Sequence, residues 1–413
     1  MFGKIRKDIL FYFIGTIFYF FAQWVITVFV VRLSGYADAG YLSLAMSTSS
    51  TFEIIALFRV RDFQISDYRS EYSNNEYVGS RILTCLFAYV LCVIFSVVGN
   101  ERLQFLCIFM FMLIRSAEAL SDVFQGMEQK HNKYDYIATS FILRGIGMIG
   151  FFYVMLRQGT SLYIVLFVIG VWSFCVVLIC EWRRCYQISS FRPVINRKVL
   201  ILLGQCFPLM ICSFLISVIN LVPKILLERY HGTECLGVYS SVASPTLIVQ
   251  VLAGTIIYPV VPKLTERLQD EGWEGFLKLL HKLYIFVIIM IAVVFAGAAF
   301  LGRVGLKILY GEEILKDYFL FFPVVTCTIV LAVVRMFTQI LTVMRKINLL
   351  TVVIFITAFL CIVISFPLVR IYAGNGASLA QIVSGSVAIF ALALACEILC
   401  KRQVCEKIYK ENS

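Results

Sequence analysis

The chain has 413 residues, 61% of them hydrophobic and only 15% charged, with a formal net charge of +11. A soluble domain carries roughly 45–50% apolar and about 25% charged residues, so this composition excludes one and points to an all-α integral membrane protein. The cationic excess does not indicate a nucleic-acid partner either, because Lys and Arg alternate from loop to loop instead of gathering on one face.

Lys4, Arg6 and Lys7 precede an apolar run from Ile9 to Val31. No small-residue cleavage site follows a short core, so the run is read as a first span and not as a cleaved signal. Windows of about 17–25 residues, the length that crosses a bilayer, then recur. The first half holds Ile9–Val31, Ala39–Phe58, Ile82–Val98, Leu103–Phe124, Ile137–Leu156 and Leu162–Ile179. The second half holds Val199–Val222, Leu236–Val260, Leu279–Leu301, Tyr318–Val343, Leu349–Val369 and Gln381–Leu399. The expected architecture is therefore about 12 transmembrane helices in two six-helix lobes, residues 1–190 and 191–413. A basic linker from Glu181 to Lys198, containing Pro193, is expected between them.

Placing both termini in the cytoplasm leaves about 25 basic residues inside and about 9 outside, roughly 3:1, which satisfies the positive-inside rule. Six spans per half insert both halves in the same direction, as parallel repeats require. No loop is long enough for an extramembrane domain.

Charges inside spans mark pathways, because each costs roughly 2.5–3.5 kcal/mol at a helix centre. Arg115 and Arg335 stand within spans, while Arg59 and Arg61 close a span that already holds Glu53. Four spans carry polar residues at helical spacing, hence on one face. They are Thr16, Gln23 and Thr27; Arg115, Glu118 and Asp122; Ser213, Ser217, Asn220 and Lys224; and Arg335, Gln339 and Thr342. A shared aqueous cavity would accommodate all four stripes. Interhelical hydrogen bonding would explain the hydroxyls and amides equally well, and Arg115 with Glu118 also has the i, i+3 spacing of a private ion pair. Pro208, Pro245, Pro259 and Pro323 fall on second-half spans, where kinks would serve a hinge.

The cysteines lie mostly in apolar runs, which is the pattern of small buried residues. His131, His231 and His281 have no metal-site spacing, so no metal or other cofactor is expected. The chain lacks a Walker loop and a nucleophile elbow, so neither ATP use nor enzyme activity is expected.

The stretch RLSGYADAGYLSLAMSTSSTFEIIALFRVRDFQISD, Arg32 to Asp67, resembles the second-span region of bacterial polysaccharide repeat-unit flippases. These belong to the multidrug/oligosaccharidyl-lipid/polysaccharide (MOP) exporter superfamily. Ser121–Gly145, Ile219–Pro245 and the ILYGEE of Ile308–Glu313 are similar to further segments of that family, in the same order. The resemblance implies an alternating-access flippase in the bacterial cytoplasmic membrane. Its substrate would be an undecaprenyl-pyrophosphate-linked oligosaccharide, carried from the inner to the outer leaflet for surface polysaccharide, capsule or O-antigen assembly. Membrane lipids, a polysaccharide polymerase and other assembly proteins would be its partners.

A pyrophosphate head group suits guanidinium donors. The resemblance reaches Arg59 and Arg61; position adds Arg115, Lys224, Arg335, Gln23, Asn220 and Gln339 as cavity candidates. Glu53, Glu118 and Asp122 are coupling-ion candidates for H+ or Na+, since a buried carboxylate titrates. A multidrug antiporter of the same superfamily and a peptidoglycan lipid-precursor flippase are the alternatives. A cation exporter would favour acidic cavity residues, whereas the spans here carry arginines.

Overall fold

In hydrocarbon every backbone N–H and C=O must find its partner inside the chain, and consecutive apolar residues meet that demand as helices. The computed structural model describes residues 2–67, 70–246, 264, 266–268 and 270–411, with side chains from Leu10 to Arg402, and among them no strand occurs. The first half runs α1 Phe2–Ser34, α2 Tyr36–Leu57, α3 Val60–Ser66, α4 Asn74–Val97, α5 Arg102–Lys130, α6 Tyr134–Arg157, α7 Leu162–Val176 and α8 Arg183–Ile188. The second runs α9 Arg197–Ala243, α10 Gly272–Tyr310, α11 Phe321–Val343 and α12 Ile347–Glu411.

Among the described residues, ten helical stretches are long and apolar enough to cross a membrane. Two of them are long enough to cross twice. The 47 residues of α9 would extend roughly 70 Å at 1.5 Å per residue, against a hydrocarbon core of about 30 Å. Each is interrupted once: α9 at Gly232 (φ 85°, ψ 169°) and α12 at Ala373 (φ 46°, ψ −124°). The expected seventh and eighth windows flank the first break, and the eleventh and twelfth flank the second. The expected window Leu236–Val260 passes Ala243, and its part beyond residue 246, with Pro259, lies outside the described residues.

The linker is shorter than expected. Instead of ending before Glu181, α7 passes through a π turn at Val177–Trp182 directly into α8. Aromatic packing carries the helix onward, because Trp182 and Phe191 lie 5.2 Å apart and both meet Phe124 of α5. The segment after α8 is then laid over the start of α4. Arg192 N–H donates to Asn75 Oδ1 at 2.8 Å, Val194 N–H to the Asn75 carbonyl at 3.1 Å, and Asn196 Nδ2 to Glu76 Oε1 at 2.9 Å. Gly79 makes the approach possible, since a Cβ there would run into the Val194 carbonyl.

The chain forms two compact units. The first is Met1–Leu221 with Thr233–Gly237, and the second is Val222–Gly232 with Val238–Ser413. In the first, α5 is the central helix and packs on α2, α3, α4 and α7, while α1 lies along α6. In the second, α11 packs on α12 and α10, and α10 turns Ile285, Ile288, Val293 and Phe300 outward.

A short internal repeat is visible in the chain. Gly35 (φ 92°, ψ −179°) opens α2, and Gly232 has nearly the same backbone conformation. Five residues later come Gly40 and Gly237, so each glycine recurs 197 positions further on. The two stretches pack reciprocally: a Cβ on Gly40 would strike the Thr233 carbonyl, and one on Gly237 would strike the Tyr36 carbonyl.

Candidate functional site

The first unit buries its charges in connected clusters. In the central one, α5 presents Arg115 and Glu118 one turn apart, where Arg115 donates to Glu118 Oε2. Glu53 of α2 approaches the same guanidinium at 3.5 Å. From α1, the Tyr19 hydroxyl and Gln23 Nε2 both donate to Glu118 Oε1, the latter at 3.2 Å. The ring of Phe111 lies 5.2 Å from the Arg115 guanidinium. Arg115, Glu53 and Glu118 are only 10%, 16% and 11% exposed, so one guanidinium faces two carboxyls in a largely water-free setting. The ion pair that the i, i+3 spacing of Arg115 and Glu118 offered as an alternative to a cavity role is present, extended by a third charge and by α1.

The second cluster follows from a break in α2. Phe58 and Arg59 both take left-handed conformations (φ 47° and 58°), which ends α2 and starts α3. Ending a helix orphans its last carbonyls. The Ala56 carbonyl is taken up by Arg81 NH1 at 2.8 Å and by the Thr84 hydroxyl at 2.7 Å. The same break aims Arg61 at α5, where it bonds Asp122 and Gln125 at 3.1 Å and Gln129 at 2.9 Å. Arg81 reaches Asp122 from the other side at 2.6 Å. Arg59, more exposed, pairs with Asp62 at 3.2 Å. Three guanidinium groups therefore meet two carboxylates at this end of the unit.

A third group is the most deeply buried. Arg144 of α6, 1% exposed, donates to Glu181 Oε1 at 3.2 Å and to the Ser121 hydroxyl at 2.8 Å. Its guanidinium lies over the rings of Tyr19 and Phe141 at 5.5 and 5.2 Å. Ser121 and Ser140 also donate to Glu181 Oε1, and Gln125 Nε2 donates to Ser121 at 2.7 Å. That last bond joins this group to the Arg61 cluster.

The structure thus unites Gln23, Glu53, Arg115 and Glu118 in one cluster and Arg61 with Asp122 in another, with Arg59 nearby. Asn220 bonds the Ile216 carbonyl of its own helix at 3.2 Å. Lys224, Arg335 and Gln339 belong to the second unit, Lys224 half-buried and Arg335 exposed. Of the stripe hydroxyls, Thr16, Thr27, Ser213 and Thr342 bond carbonyls of their own helices, while Ser217 meets Thr51 of α2 at 2.8 Å. Among the described residues no group of three or more His, Cys, Asp or Glu is arranged to hold a metal ion.

The sequence reading missed Arg81, Arg144, Glu181 and Tyr19. Arg144 was within reach, since it lies inside the window Ile137–Leu156. Arg81 and Glu181 sit just outside window ends and look like ordinary flanking charges.

The sequence model of a family described as polysaccharide biosynthesis proteins matches residues 5–267, and the chain belongs to that family. The capsular polysaccharide biosynthesis protein CapF of Staphylococcus aureus is 25% identical over 311 residues, 74% of this chain and 78% of CapF. Among solved structures, the lipid II flippase MurJ in an inward closed conformation aligns with a TM-score of 0.71 at 15% identity, over 94% of this chain and 87% of MurJ. The Vibrio cholerae MATE transporter VcmN aligns at 0.64 and 12% identity, over 97% of both chains. The fold is therefore that of MurJ and the MATE transporters, a multi-pass membrane architecture.

Proposed function

We propose that the chain flips an undecaprenyl-pyrophosphate-linked oligosaccharide repeat unit from the inner to the outer leaflet of the bacterial cytoplasmic membrane, by alternating access between lobes 1–190 and 191–413. The observation that carries the reading is the excess of guanidinium over carboxylate at Arg59, Arg61 and Arg81, in a chain of a polysaccharide biosynthesis family. A pyrophosphate is best met by permanently charged, bidentate donors. Asp62 and Asp122 offset part of that charge and leave the cluster cationic without any arginine being buried alone.

In this reading Arg61 and Arg59, the more accessible members, engage the head group, and Arg81 holds Asp122 and the end of α2 in place. Arg115, with Glu53 and Glu118 around it, responds to charge arriving nearby. Lys224, Arg335, Gln23, Asn220 and Gln339 stay candidates for contacts along the sugar path. A polymerase and other assembly proteins are the partners this role calls for.

The test is made in cells lacking the chain. Lipid-linked repeat units should accumulate on the cytoplasmic leaflet and surface polysaccharide should be lost. The wild-type chain should restore both, and an Arg59→Ala, Arg61→Ala double variant that inserts normally should not. A rise in drug susceptibility without accumulation would transfer the assignment to an antiporter. Accumulation of peptidoglycan precursor would transfer it to that class of flippase.

A further inference from the structure

Glu118 and Asp122 are each bonded to arginine, and Glu76 accepts from Ser73 and Asn196, but Glu128 has no donor on either oxygen among the described residues. Glu128 lies near the end of α5 and is 0% exposed. The charged and titratable groups around it are Glu181 of the π turn, Arg184 and Cys185 of α8, and Asp135 and Arg144 of α6.

Neither arginine is free to serve it. The Arg184 guanidinium lies over the Tyr136 ring at 4.9 Å and turns NH1 toward the Tyr136 carbonyl at 3.4 Å. Arg144 is committed to Glu181 and Ser121. Glu181 is also 0% exposed, and while its Oε1 is crowded with donors, its Oε2 has none. Among the described residues, three buried carboxyl oxygens thus stand without a donor, beside one committed guanidinium.

A buried ionised carboxylate without donors is costly, and neighbouring carboxyls add mutual repulsion. One bound proton removes both penalties, because it neutralises one group and turns an acceptor into a donor. The backbone also marks the place. Glu181 lies in the π turn between α7 and α8, and π turns inside helices concentrate at functional positions.

We propose that Glu128, with Glu181 beside it, is a proton-binding site of the first unit, and that the proton it holds is the coupling ion of transport. The second half of this statement rests on the flippase reading; the first half does not. Binding is a plain protonation, with a proton from water joining a Glu128 carboxyl oxygen and leaving again when the site empties.

The experiment has two arms. Infrared spectra of the purified full chain at neutral pH should show the carbonyl stretch of a protonated carboxyl, shifted in heavy water and lost as pH is raised. Glu128→Gln should remove it. Identical spectra for wild type and variant would overturn the site. So would a band present only when sodium is withdrawn, since that would make the ligand a metal cation. If Glu128→Gln does not fold, Glu128→Leu takes its place with the same expected loss.

In the second arm, vesicles reconstituted with the chain and a lipid-linked oligosaccharide are placed under a pH gradient. With one proton per cycle, the wild-type leaflet ratio should shift by up to about tenfold per pH unit, and the Gln variant should show no shift. Flipping that ignores the gradient in the wild type would overturn the coupling role while leaving the flippase reading intact. An absence of any flipping, with the infrared band present, would overturn the flippase reading and the coupling role together and leave the proton site standing.

Discussion

The two units handle polarity in opposite ways. The first buries Arg81, Arg115, Arg144, Glu76, Glu128 and Glu181, whereas the buried polar side chains described in the second are Ser, Thr and Gln. Charges in the first unit are held across helices: α1, α2 and α5 meet at the Arg115–Glu118 pair, and α3, α4 and α5 meet at Asp122. Hydroxyls in the second mostly bond carbonyls of their own helix, as Thr357 does with Val353 and Ser384 with Ala380. A buried ion pair that loses one partner leaves an uncompensated charge, whereas a hydroxyl bonded within its own helix contributes little to packing between helices. The first unit's helix arrangement therefore depends on a few ionic contacts, and the second's rests on apolar fit.

The contrast is broken most forcefully at the deepest pair. Arg144→Ala strands Glu181 with both partners fully enclosed, and it should cost about 3–5 kcal/mol, read as a lowered unfolding midpoint of the detergent-purified chain. Replacing both members with apolar residues of similar volume should recover most of that loss. Next comes packing without charge. Gly40→Ala pushes α2 off the Thr233 carbonyl and should cost about 1–3 kcal/mol, the usual range for overpacking, by the same measurement.

In the second unit, Ser384→Ala should stay at or below about 0.6 kcal/mol, the average for polar contacts between membrane helices, since its hydroxyl bonds carbonyls of its own helix. A larger loss there would end the distinction between the units.

The smallest effect is confined to acid. Asp67 lies after α3, outside the spans. Burial opposes its ionisation, but the Glu71 and Tyr72 N–H groups, the Tyr77 hydroxyl and the nearby Lys130 outweigh that and hold its carboxyl below the usual range. A depressed carboxyl contributes stability above its ordinary pKa of about 3.9, and that contribution is lost as pH falls through the lower folded value. Asp67→Asn should therefore flatten the decline in stability at acid pH, measured by thermal unfolding across a pH series.

Much of this was legible in the sequence. The helical membrane fold follows from the spacing of apolar windows, and the polar stripe of α5 announced Arg115, Glu118 and Asp122 because a helix places i, i+3 and i+7 together. What spacing within one helix cannot give is the partner on another. Nothing local pairs Arg81 with Asp122 or Tyr19 with Glu118, since those contacts depend on which helices become neighbours. Glu181 was hidden for a different reason. A charge two residues past an apolar window reads as the start of a loop, but the aromatic packing of Trp182 and Phe191 against Phe124 prolongs the helix and draws Glu181 inside.

The paired glycines impose a coupling of their own. Gly40 faces Thr233 and Gly237 faces Tyr36, so the two contacts are one seam met from both sides, as in a self-complementary interface. Widening the seam for one added methyl group also makes room for the other. Alanine at both positions should then cost less than the two single losses added together, a departure from additivity expected of groups that share one backbone displacement. In this seam the first intrusion bears most of the cost, and the second follows into space already opened.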